Sequence, residues 1–133
     1  MMLVVQIVVA VLAVAFITFT IATQLTIAAR VRSMQGKPVP ALPGALGARV
    51  TESPRALVYF HSPGCAACRP ITPRMRALRE KNGAVFVVDV MEDLDVARAL
   101  GVLATPSTIE IDGGKVVGFH VGRVPDEVLA RFA

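Results

Sequence analysis

Residues 56–68, ALVYFHSPGCAAC, decide the fold. Ala56 to His61 is a short apolar run of the kind that makes a strand buried on both faces. Ser62-Pro63-Gly64 breaks it, and Cys65 to about Lys81 then shows helical spacing, with Ile71, Met75 and Leu78 at 0, +4 and +7. Asn82-Gly83 reads as a C-cap glycine stop. The unit is therefore strand, turn, helix, with both cysteines of the chain at the turn.

The pattern continues downstream. Ala84 to Val90 (AVFVVDV) is a second buried strand, and Asp93 to Leu100 a short helix with Asp93 at its N-cap and Gly101 as its stop. Ser107 to Ile111 and Lys115 to Val121 flank Asp112-Gly113-Gly114, a hairpin signal because the glycines supply positive φ. Pro125, followed by Asp126 and Glu127, opens a last helix through Phe132. The first two strands need a right-handed crossover and so run parallel, whereas the hairpin is antiparallel. The expected fold class is α/β, a mixed sheet flanked by helices.

Upstream, Ser33 to Gly47 carries Gly36, Pro38, Pro40, Pro43, Gly44 and Gly47, a density that suits a semi-extended spacer. Before it, Met1 to Ala29 contains no charged side chain. Leu3 to Ala22 is long enough to cross about 30 Å of hydrocarbon. A cleavable signal would have a shorter apolar region behind a basic segment, and no Lys or Arg precedes this one. The expected organisation is a transmembrane anchor at 1–29, a Pro/Gly-rich linker at 30–48 and a folded domain at 49–133. Arg30, Arg32 and Lys37 follow the span closely, so the positive-inside rule puts the domain on the cytoplasmic side of a bacterial-type inner membrane, with the periplasmic side as the alternative. The net charge of +4 comes with one Tyr, no Trp and no basic run interleaved with aromatics, which argues against nucleic-acid binding.

Two cysteines three apart cannot staple distant loops; they form a local chemical device. A thiolate at a helix N-terminus is favoured by unpaired backbone N–H groups, and the thiolate is the attacking species in disulfide exchange. Cys65 is expected to be the nucleophile and Cys68 the resolving thiol, with Arg69 adding positive potential. The competing readings are a metal-binding chaperone, in which His61 and His120 complete a site with the two thiols, and two inert buried cysteines. The basic residues Arg69, Arg74, Arg76, Arg79 and Lys81 read as a solvated helix face, or as one lying against anionic lipid.

Residues 55–133 resemble the thioredoxin family. The resemblance is carried by ALVYFH, Cys65-Ala66-Ala67-Cys68, Pro73 five residues on, VVDV, Gly101-Val102, Thr105-Pro106 before the hairpin and Gly122 after it. It implies a thioredoxin-like sheet and thiol–disulfide oxidoreductase activity on protein thiols and disulfides. No cofactor or metal is implied, and the electron donor or acceptor is left open. It also implies a cis Thr105–Pro106 bond, with Thr105 and Pro106 presenting backbone to an extended substrate, and a kink of the helix at Pro73. Departures are equally specific: Gly64 stands where the family has Trp, Ala66-Ala67 where it has Gly-Pro, and Tyr59 and Val87 at its buried carboxylate and lysine positions. Pro70 is additional, and the family's first strand and helix are shortened. A thioredoxin-shaped assembly module without catalysis is the remaining alternative.

Overall fold

The computed structural model describes all 133 residues, which form two compact units, Met1–Arg30 and Val31–Ala133. The first is most of helix α1 (Met2–Met34), whose residues are all at least partly exposed. It is the one helix long and apolar enough to cross a membrane. Thr18, Thr20, Thr23 and Thr26 each donate their hydroxyl hydrogen to the carbonyl four residues back, so these four hydroxyls are satisfied within the helix.

In the second unit, α2 (Gly44–Glu52) leads into β1 (Arg55–His61), α3 (Thr72–Lys81), β2 (Val85–Asp89), α4 (Leu94–Ala99), β3 (Ser107–Asp112), β4 (Lys115–Val121) and α5 (Asp126–Ala130). The sheet order is β2-β1-β3-β4. β1 pairs parallel with β2 and antiparallel with β3, and β3 pairs antiparallel with β4. This is the expected mixed sheet, and no strand precedes β1. Gly113 (φ 58°) and Gly114 (φ 75°) supply the left-handed backbone of the β3–β4 turn.

Alternation along β1 splits the core in two. Ala56, Val58 and Phe60 face one side with Phe86, Val88 and Ile109, and are covered by Val50 of α2 and Val96 and Ala97 of α4. Leu57 and Tyr59 face the other with Met75 of α3 and Val128 of α5. All five of Ala56–Phe60 are fully buried, as a strand sandwiched between helices requires.

Four expectations change. The 30–48 stretch is not a free spacer. Gly36 N–H donates to Val116 O, Val116 N–H to Lys37 O and Val39 N–H to Gly114 O, while Val31, Met34, Val39 and Leu42 pack on the core. Its apolar residues had a hydrophobic surface to bury, and its residues from Gly44 onward turn into α2. The helix after the cysteines begins only at Thr72, because Pro70 and Pro73 lack the N–H groups that would extend the i→i−4 ladder upstream. Pro73 accordingly sits in the first turn of α3 and does not kink its interior. Asp93 occupies the N-cap position of α4 as expected, without a side-chain cap bond, but α3 ends on extended Asn82 (φ −138°) with no left-handed glycine. There Asn82 Nδ2 donates to Phe132 O and Asn82 Oδ1 accepts from Ala84 N–H.

Candidate active site: a disulfide at the end of the central strand

β1 delivers the chain at His61 to the carboxyl end of the sheet. From there to Thr72 the backbone runs in successive tight turns. Cys65 N–H donates to Ser62 O (3.2 Å), Cys68 N–H to Cys65 O (3.3 Å) and Arg69 N–H to Ala66 O (3.2 Å). Cys65 and Cys68 are joined in a disulfide, with Cα atoms 5.3 Å apart. The two sulfurs are not equivalent: Cys68 is 3% exposed, whereas Cys65 is only partly buried. Cys68 N–H also points at Cys65 Sγ, 3.1 Å away. The regular helix end expected at the cysteines is thus replaced by one aimed backbone donor. Its effect on the sulfur has the same sign, since partial positive charge favours a thiolate.

Beneath the turn lies a polar chain that sequence reading did not assemble. Thr72 donates its hydroxyl to Cys68 O (2.9 Å), and the Tyr59 hydroxyl lies 2.8 Å from Thr72 Oγ1 and 3.5 Å from Cys68 O. Burial pushes the Tyr59 hydroxyl above its ordinary value of 10.0, offset in part by the Thr72 hydrogen bond and the nearby Arg76 charge. Thr72 follows Cys68 by four residues, a spacing that would have found it.

Thr105 and Pro106 stand across the loop. Their peptide bond is cis. Thr105 Oγ1 lies 3.1 Å from Ser62 Oγ, which ties the two loops together, and Pro106 O accepts from Gly122 N–H. His61 stacks on Tyr59 (ring centroids 5.8 Å) and lines the cysteines' cavity, whereas His120 Nε2 lies 3.1 Å from Glu110 Oε1. The structure therefore brings His61 to the thiols and engages His120 elsewhere. Glu110, 6% exposed, also receives Arg131, 3.0 Å from Oε2. Nothing in the alternating pattern of β3 marked this buried carboxylate.

A cavity of about 390 Å³ opens beside the disulfide, lined by His61, Cys65, Cys68, Arg69, Thr72 and Arg76 among others. A second, of about 330 Å³, is lined by Ala67, Pro70, Ile71, Arg74, Pro106, Gly122 and Arg123.

Comparison with known proteins agrees with this geometry. Residues 45–133 match the family model described as Thioredoxin. Thioredoxin from Streptomyces clavuligerus is 35% identical over 77 residues, 56% of this chain and 72% of that protein. Thioredoxin from Bacillus subtilis (strain 168) is 32% identical over 76 residues, 55% and 73% of the two chains. Among solved structures, the reduced Schistosoma mansoni thioredoxin pre-protein superposes with a TM-score of 0.57 at 29% identity, covering 71% of this chain and 95% of that one.

Proposed function

The chain belongs to the thioredoxin family and is a thiol–disulfide oxidoreductase, and we propose that it works tethered to a membrane, exchanging its Cys65–Cys68 pair with protein partners. Cys65 is the nucleophile. The observation that carries this assignment is the asymmetry of the pair: the more accessible sulfur is also the one that receives the Cys68 N–H.

In the reducing direction, the Cys65 thiolate attacks one sulfur of a partner disulfide. A mixed disulfide forms and one partner thiolate leaves. Cys68, having lost its proton, then attacks Cys65 Sγ. The 65–68 disulfide forms, the second partner thiolate leaves, and two electrons have passed to the partner. A dithiol donor resets the pair by the same steps, and oxidation of a partner is the reverse. Thr105 and Pro106 are the residues against which an extended partner segment lies, because the Ser62–Thr105 contact holds them against the active-site loop and Thr105 lies outside the β3 ladder.

Residues 1–29 form the anchor in this reading. A single apolar helix ending in Arg30 and Arg32 supports a span with the redox domain on the cytoplasmic side. Replacing Cys68 with Ser tests the roles: mixed disulfides with partner proteins should accumulate through Cys65 and dissolve on reduction. Adducts that form equally well in Cys65→Ser would overturn the assignment.

A further inference from the structure

The charge around the disulfide is one-sided. Arg69 and Arg76 line the cavity that holds Cys65 and Cys68, and neither takes part in a salt bridge. One acidic residue, Asp89, shares that cavity, and its carboxylate accepts from Met91 N–H (2.8 Å). On the other side, Arg74 and Arg123 line the cavity that holds Pro106. These two share a single carboxylate, Asp126, each at 3.4 Å. All four guanidinium groups are on exposed residues. Arg74 also borders a third, partly apolar cavity of about 550 Å³ between α3 and α5, with Leu78, Lys81 and Leu129. The approach to the sulfurs is therefore flanked by guanidinium groups in excess of the acids that face them.

We infer that the preferred partner is a polypeptide whose exchangeable cysteine or cystine is flanked by acidic residues, bound through Arg69 and Arg76 on one side and Arg74 and Arg123 on the other. This rests on the exchange reaction proposed above and names its substrate class. Clustered charge of one sign raises encounter rates with an oppositely charged partner by 10-fold or more at low salt (a range of about 10 to 10³). Guanidinium groups in addition take carboxylates in paired hydrogen bonds.

The test uses the full chain, reduced, in an uncharged detergent. Two peptides are compared, each with one intramolecular disulfide, identical except for Glu or Gln beside the cysteines. Rates are normalised to those with an uncharged trialkylphosphine, whose attacking phosphorus carries no charge. The Glu peptide should react about tenfold faster at low salt, with the advantage nearly gone in about 1 M salt, where the screening length falls to about 3 Å. Arg69→Gln, Arg74→Gln, Arg76→Gln and Arg123→Gln combined should remove the preference, whereas Arg79→Gln, on the same helix but lining neither cavity at the disulfide, should leave it. Equal normalised rates at low salt, or a preference that survives the fourfold substitution, would overturn the inference. If neither peptide exchanges, the oxidoreductase reading itself falls.

Discussion

Tyr59 illustrates what one residue does at this site. The family resemblance puts a buried carboxylate at its position; here a phenol fills the space and reaches Cys68 O and Thr72. A carboxylate could change charge near neutral pH, whereas this hydroxyl cannot, because burial raises it above 10.0. The folded state therefore holds the Tyr59 proton more tightly than the unfolded chain. Its contribution to stability is intact below pH 10.0 and is lost as the pH climbs from there through the folded value. The chain has one Tyr and no Trp, so phenolate absorbance reports Tyr59 alone. The titration midpoint should lie above 10.0, and Thr72→Val should move it higher, since the Thr72 bond is one of the two influences that lower it. A midpoint at the ordinary value would refute the buried placement.

Among the elements, those with a strong local signal were legible in the sequence. Ala56–His61 reads as a strand from its unbroken apolar run, and Lys115–Val121 matches the observed β4 because two glycines fix the turn before it. The helix start after the cysteines was misplaced. Spacing of Ile71, Met75 and Leu78 reports which face is buried, but not whether the backbone upstream has its donors, and Pro70 and Pro73 remove two of them. Likewise α2 was hidden by the prolines and glycines around it, whose local preference for extended chain yields to burial of Val50 at its far end. Gly47 shows how closely that helix sits: a Cβ there would fall 2.5 Å from the Leu42 carbonyl oxygen. Gly47→Ala must push α2 off the 37–43 segment and should cost about 1–3 kcal/mol, read as a lowered denaturant midpoint at unchanged slope. The Glu110 cluster could not be read at all, because its partners His120 and Arg131 are brought to it only by the β3–β4 pairing and the turn after α5.

At the scale of the whole molecule, the proposed anchor and the redox domain make separable predictions. The full chain should sediment with membranes and resist alkaline carbonate extraction, and a C-terminal alkaline phosphatase fusion should be inactive if the domain lies on the cytoplasmic side. An active fusion would reverse the orientation while leaving the exchange chemistry untouched. The backbone bonds from Gly36 and Val39 to the β4 hairpin bear on the same arrangement. A sheet that ends in bare N–H and C=O groups is a template for zippering onto its neighbour, and confining copies to two dimensions multiplies such encounters. In this chain residues 36–39 already occupy the first stretch of that rim, so crowding along a surface would find its ladder closed there.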